Sequence, residues 1–197
     1  GYAHIVGVFP GTGIGGGLIL DGRLYRGKRG SAGEVGHMVV QTDGRPCGCG
    51  GIGCLETVAS KTSIAKELVM LAAAGKAPTV LAAGGTDITV IKSKIIKKSY
   101  QNDGDHVESV VDRAAHFLGI GLANMVNIFD PEVIIVGGGL VERFGAGYLA
   151  RAEATMRERA MPRLVEGVEL LEATLGDDAA VVGAADLAAR HLVEDRG

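Results

Sequence analysis

Ile5-Val6-Gly7-Val8-Phe9-Pro10-Gly11-Thr12-Gly13-Ile14-Gly15-Gly16-Gly17-Leu18-Ile19-Leu20-Asp21-Gly22-Arg23-Leu24-Tyr25 is the stretch that separates two fold classes. Residues 11–16 satisfy the G-x-G-x-x-G pattern of a dinucleotide-binding loop, but that pattern needs a helix whose N-terminus faces the pyrophosphate. No helix follows Gly16. Gly17 to Leu20 reads as a strand, Asp21-Gly22 as a two-residue hairpin turn, and Arg23 to Tyr25 as the returning strand. The predicted order is strand, glycine loop, strand, tight turn, strand, and the dinucleotide fold is set aside. A Gly-Thr-Gly loop between strands can still cradle phosphate through its N–H groups, with the Thr12 hydroxyl as an added donor. A tight turn without a ligand has the same sequence.

Downstream, Gly27 to Gly53 is glycine-rich and polar and holds all three cysteines. Helical periodicity runs from about Leu55 to Ala74, where Gly75 is a stop signal. Residues 76–103 carry no clear pattern beyond a short basic helix over Ile88 to Lys98. From Gly104 to Ile128, Val107, Val110, Val111, Ala114, Leu118 and Leu122 recur at three- and four-residue steps and predict a long helix that ends before Pro131. Val133 to Val136 is an apolar run suited to a buried strand. Gly137-Gly138-Gly139 follows it, then a helix from Val141 to Arg159, a strand over Val168 to Leu171 and a closing helix from Asp177 to Leu192. Strands and helices are mixed along the chain, so the class is α/β.

A length of 197 residues fits one medium domain or one lobe of a larger enzyme. The net charge of −3 offers no basic field for nucleic acid. Neither a long uncharged apolar run nor a signal peptide is present, so the expectation is a cytoplasmic protein without a membrane partner. The first residues, Gly1-Tyr2-Ala3-His4, enter a strand almost at once and look like a cut inside a longer chain. The 32 glycines exceed the usual ~7% and fall in clusters, which mark close backbone approach.

His37, Cys47, Cys49 and Cys54 form the strongest chemical signal. Glycines 48, 50, 51 and 53 let the loop fold back so that three thiolates converge, with His37 arriving from a preceding strand to complete a tetrahedron. Soft sulfur and imidazole ligands choose zinc, and four protein ligands close the coordination sphere, so the metal is structural. Three reduced thiols without metal, or a disulfide between two of them, are the alternatives. Glu34 and Glu56 flank this loop, and carboxylates pinned by a rigid loop can each accept two sugar hydroxyls. Solvated loop glutamates have the same sequence. Gly137-Gly138-Gly139, between a buried strand and a helix N-terminus, is a second place for a nucleotide, or else a site of close strand-to-helix packing. His4, His106, His116 and His191 receive no role.

Glu34-Val35-Gly36-His37 with Cys47-Gly-Cys49-Gly-Gly-Ile-Gly-Cys54-Leu-Glu56 resembles the zinc signature of the ROK family of sugar kinases and sugar-responsive repressors. Gly11-Thr12-Gly13-Ile14-Gly15 resembles that family's phosphate loop, and Asp130-Pro131-Glu132-Val133-Ile134-Ile135-Val136-Gly137-Gly138-Gly139 its strand and glycine turn beside adenosine. The resemblance reaches nearly end to end, including Gly176-Asp177-Asp178-Ala179-Ala180-Val181-Val182-Gly183-Ala184-Ala185. It implies the actin-like, ribonuclease-H-like ATPase fold, with residues 1–197 as the C-terminal lobe of a two-lobed kinase and a zinc loop over 37–56. It implies sugar contacts from Glu34, His37 and Glu56, and ATP with Mg²⁺ placed along Gly11, Thr12, Gly13, Gly138 and Gly139. A homodimer is the expected assembly.

The departures from the family define what is missing. The family's N-terminal lobe, with an Asp-x-Gly-Gly-Thr motif, and its Asn-Asp pair, whose aspartate is the catalytic base, have no counterpart in these residues. No catalytic residue is therefore assigned, and the expectation is that the chain does not phosphorylate sugar unaided. The expected function is phosphorylation of a hexose or N-acetylhexosamine, in the manner of a glucokinase. The alternative is a sugar-sensing repressor whose DNA-binding helices lie outside these residues, and a zinc-stabilised interaction domain without a ligand is the third.

Overall fold

The computed structural model of the chain describes residues 1–194; the final three residues, and the side chains of Asp177 and residues 190–194, lie outside the description. The chain opens with β1 (Ile5–Pro10), β2 (Ile14–Leu20) and β3 (Arg23–Leu24). After the glycine-rich loop come α1 (Glu56–Ala59), α2 (Lys61–Ala73), α3 (Pro78–Gly84), α4 (Ser93–Asn102) and α5 (Asp105–Phe129). The closing half is β4 (Val133–Val136), α6 (Val141–Phe144), α7 (Ala146–Arg159), α8 (Pro162–Val165), β5 (Glu169–Glu172) and α9 (Ala179–Glu194).

The five strands form one mixed sheet in the order β3-β2-β1-β4-β5. β1 runs antiparallel to β2, with Phe9 opposite Gly15 and Pro10 opposite Ile14, so only Gly11, Thr12 and Gly13 remain for the connecting loop. The Asp21-Gly22 turn has positive φ at both residues, 52° and 71°, as a two-residue hairpin with right-handed strand twist needs. β1 is parallel to β4, with Val8 opposite Val136. Parallel strands leave the sheet at the same end, so the Gly11–Gly13 loop after β1 and the Gly137–Gly139 turn after β4 emerge side by side. That end of the sheet is where open α/β sheets place ligands.

Val6 and Val8 of β1 and Ile134 and Val136 of β4 are buried in the same core as α5. Leu118 and Leu122 of α5 are fully buried, and burial of each side chain contributes about 2 kcal/mol. Two glycines let α5 approach its neighbours. A Cβ at Gly119 would meet the Ala152 carbonyl and Thr155 of α7, and one at Gly121 would lie 2.7 Å from Leu55, the residue that closes the cysteine loop.

Several elements differ from the sequence reading. The helix expected over Leu55 to Ala74 breaks at Ser60, whose ψ of 160° ends α1 and whose hydroxyl accepts the Ser63 N–H to start α2. The helix expected over Val141 to Arg159 breaks at Gly145, with φ of 66°. Residues 76–103, expected to hold one short helix over Ile88 to Lys98, hold α3 and α4 with a single 3₁₀ turn over Ile88–Val90 between them. Asp103 ties this pair together by accepting from Thr79 of α3 and Ser99 of α4. Among the described residues no single helix is long and apolar enough to cross a membrane.

Candidate functional site

The ligand atoms of His37, Cys47, Cys49 and Cys54 all lie within 4.8 Å of one another. Cys47 Sγ is 3.5 Å from His37 Nδ1, and Cys49 Sγ is 3.7 Å from Cys54 Sγ. A tetrahedral zinc with Zn–S of about 2.3 Å needs S···S edges of about 3.8 Å and shorter S···N edges, so the four residues fit that ion. The cysteines are free, and Cys49 and Cys54 hold their sulfurs 3.7 Å apart, a metal-ligand spacing well beyond the ~2.05 Å of a disulfide bond. His37 arrives from a 3₁₀ turn over Val35–His37, not from the strand expected. The loop's fold-back rests on isolated bridges, Val39 to Cys54 and Pro46 to Ile52, and on Cys47 N–H donating to the Gly51 carbonyl.

The thiols are electrostatically unequal. Burial pushes Cys54, 1% exposed, up to about 12, reinforced by the two neighbouring sulfurs. Cys49 moves down because the Gly51 N–H donates to its sulfur. Three sulfurs this close resist joint ionisation unless a cation neutralises them, which is the condition a divalent metal supplies.

Glu34 and Glu56 sit on either side of the cluster. Glu34 Oε2 is 3.9 Å from His37 Nε2, while the other ring nitrogen, Nδ1, is the one that meets Cys47 Sγ. Glu56 starts α1, and its Oε2 accepts the Ile14 N–H at 2.9 Å. The Leu55 N–H donates to the Met38 carbonyl beside the Val39 to Cys54 bridge, which ties the residue before Glu56 to the residue after His37. The first strands need their glycines for this arrangement: a Cβ at Gly13 would collide with the Glu56 carboxylate, and one at Gly16 would lie 2.5 Å from Val35. Two of the glycines in the apparent dinucleotide motif thus make room for protein groups.

Both glycine loops meet at the end of β1. Gly138 has φ of 90°, and a Cβ there would be 2.9 Å from the Pro10 carbonyl. Gly137 packs bare against Phe9 and Ala173, so close packing alone accounts for these two glycines. Gly139 faces Ser93 at the start of α4. The Gly11–Gly13 loop is held by α2: the Lys61 N–H donates to the Gly11 carbonyl at 2.8 Å, Lys61 Nζ to Thr12 Oγ1 at 3.0 Å and Thr62 Oγ1 to the Thr12 carbonyl at 2.6 Å.

Sequence reasoning missed Lys61, Lys92, Ser93, Arg45 and Glu67. The signal available for Lys61 was its place directly after Ser60, a helix cap hidden inside an apparently continuous helix. Glu67 of α2 is only 8% exposed and pairs with Arg113 of α5 and, at 2.9 Å, with Arg45 of the cysteine loop. It pins the loop to the helices. Nothing in local periodicity connects these three residues.

A ROK family glucokinase from Streptomyces griseus, solved in complex with glucose and AMPPNP, superimposes with a TM-score of 0.78 at 34% identity, covering 95% of this chain and 61% of that one. The mixed sheet with its flanking helices has the actin-like ATPase fold, the architecture of ROK sugar kinases. The ROK family model matches residues 1–191, and the chain belongs to the ROK family. A glucokinase of Halalkalibacterium halodurans is 38% identical over 93% of this chain and 55% of its own length. A xylose repressor of Caldicellulosiruptor bescii is 33% identical over 88% of this chain and 43% of its own. The chain therefore spans about half the length of the relatives it matches.

Proposed function

We propose that this chain is the C-terminal, sugar-binding lobe of an ATP-dependent sugar kinase of glucokinase type, acting on a hexose or N-acetylhexosamine. One observation carries the reading: Glu56 leaves the cysteine loop and leans across Gly13 to accept the Ile14 N–H. The same residue thus couples the metal loop to the loop between β1 and β2, and acceptor and donor sites must adjoin for phosphoryl transfer. His37, Cys47, Cys49 and Cys54 would hold a structural zinc, whose contribution is to fix the loop. Glu34, His37 through Nε2 and the second oxygen of Glu56 bind and orient sugar hydroxyls. Gly11, Thr12, Gly13, Gly138 and Gly139 carry ATP with Mg²⁺. The γ-phosphoryl moves to a sugar hydroxyl, ADP leaves, and the hydroxyl proton passes to a base that belongs to an upstream lobe.

The similarity to xylose repressors supports a second reading, in which the sugar is a signal. An intact donor loop, held by three hydrogen bonds from α2, favours the kinase. The test is metal content by mass spectrometry with calorimetric titration of glucose and of Mg·ATP into the chain. The kinase reading expects one zinc per chain, binding of both ligands, and glucose binding weakened by Glu56→Gln with zinc retained. Sugar binding without ATP binding would support the repressor, and absence of zinc would remove the shared basis of both.

A further inference from the structure

A cavity of about 290 Å³ lies between the Gly11–Gly13 loop, the start of α2 and the segment before α4, lined by Thr12, Lys61, Thr62, Thr89, Ile91 and Lys92 among others. We propose that this cavity receives the phosphate chain of the donor, with Lys61 and Lys92 as its cations. The inference rests on the donor site proposed above and adds to it two residues that no glycine motif marks.

Lys61 is the first residue of α2, and its ammonium group donates to Thr12 Oγ1. An ammonium group has three donors, so two remain for a ligand. Because Thr12 Oγ1 accepts from Lys61, its own proton is free to point to another acceptor. Lys92 is the N-cap residue of the ten-residue α4, whose first amides receive no side-chain cap. The Ile95 and Ile96 N–H groups donate to the Lys92 carbonyl, so the Ser93 and Lys94 N–H groups remain as donors at the positive end of the helix. Ser93, the next residue, sits beside Gly139, with its hydroxyl 3.5 Å from the position of a Cβ on that glycine, so the start of α4 adjoins the second glycine turn. No carboxylate lines the cavity among the described residues. The Asp87 carboxylate, nearest in sequence, accepts the N–H and hydroxyl of Thr89 at 2.8 and 2.7 Å through its Oδ1 alone and is not among the lining residues.

Two ammonium groups, a hydroxyl donor and uncapped amides, without an acidic acceptor, suit a ligand with many anionic oxygens. A neutral sugar, with its mixed donors and acceptors, does not match this set. The shared chemistry is a polyphosphate chain, which a nucleoside triphosphate and an inorganic polyphosphate both present.

The experiment is calorimetric titration of the 197-residue chain with Mg·ATP, inorganic tripolyphosphate, adenosine and glucose, for the parent chain and for Lys61→Met, Lys61→Arg and Lys92→Met. Either methionine variant is expected to weaken ATP and tripolyphosphate about tenfold, as loss of a charge-assisted hydrogen bond does, and Lys61→Arg to recover most of it. Adenosine, glucose and zinc content stay unchanged, which a merely structural role for Lys61 would not allow. Tripolyphosphate binding in the parent supports an inorganic donor, whereas tight ATP binding with weak tripolyphosphate binding supports a nucleotide. A parent chain that binds neither ATP nor tripolyphosphate overturns the donor site and the lysine assignment together. Parent-like binding of both by Lys61→Met and Lys92→Met, with the site otherwise intact, overturns the lysines alone.

Discussion

Gly53→Ala, next to the ligand Cys54, is the most informative change to the cysteine loop. Gly53 has φ of 75°, and an added Cβ would run into the Gln41 carbonyl. The Gly53 carbonyl accepts from Val40 N–H at 2.9 Å and from Gln41 N–H at 3.2 Å, and its own N–H donates to the Arg45 carbonyl at 2.9 Å. Gly50 is the internal control: its φ is 91°, yet nothing lies within 4 Å of its Cβ position. Left-handed strain costs about 1–2 kcal/mol at either position. Only at Gly53 must the backbone also move, which sacrifices two hydrogen bonds at about 1 kcal/mol each. Gly53→Ala should therefore cost about 3–4 kcal/mol. The gap of about 2 kcal/mol to Gly50→Ala is roughly 30-fold in metal affinity, because loop closure and ligation are one event. Chelator competition and urea unfolding of the zinc-loaded chain measure both. Equal losses for the two variants, or parent affinity in Gly53→Ala, would refute the loop geometry.

Glu67→Gln leaves Arg45 and Arg113 facing each other without their shared carboxylate. With both arginine side chains 43–45% exposed, the expected loss is about 1–2 kcal/mol, together with weaker metal retention because Arg45 belongs to the loop. An unchanged thermal midpoint and unchanged metal affinity would show that the clamp contributes nothing. Glu132 accepts the backbone N–H groups of His4 and Ala3, which holds its carboxyl below the usual range. A folded-state pKa below the unfolded value of ~4.3 gives stability that is present above that value and lost as pH falls through the lowered one. Glu132→Gln should thus reduce the dependence of the thermal midpoint on acid, and identical acid limbs in both proteins would reject this tie between β1 and β4.

Local chemistry carried much of this protein into view. Asp21-Gly22 specified its hairpin because both residues tolerate positive φ, and that turn separated the first loop from a dinucleotide fold. The α5 stripe and the apolar run of β4 were readable because burial imposes a period on one and continuity on the other. The His37, Cys47, Cys49 and Cys54 set was readable because three of its members lie within eight residues, a distance that glycines can fold back. The two breaks at Ser60 and Gly145 were not, since each interrupts a periodic pattern for a single residue.

The sequence by itself determined which groups are available: a metal-ligand set, two glycine turns, two flanking carboxylates and an α/β order of elements. Only the tertiary structure decided that the two glycine turns share one end of the sheet, since that follows from β1 pairing parallel to β4 across more than 120 residues. It also decided that Glu56 reaches Ile14, that Glu67 joins Arg45 to Arg113, and that Lys61 and Lys92 line one cavity. Side chains of this kind meet because the elements that carry them pack together, and packing between distant elements leaves no period or spacing in the chain.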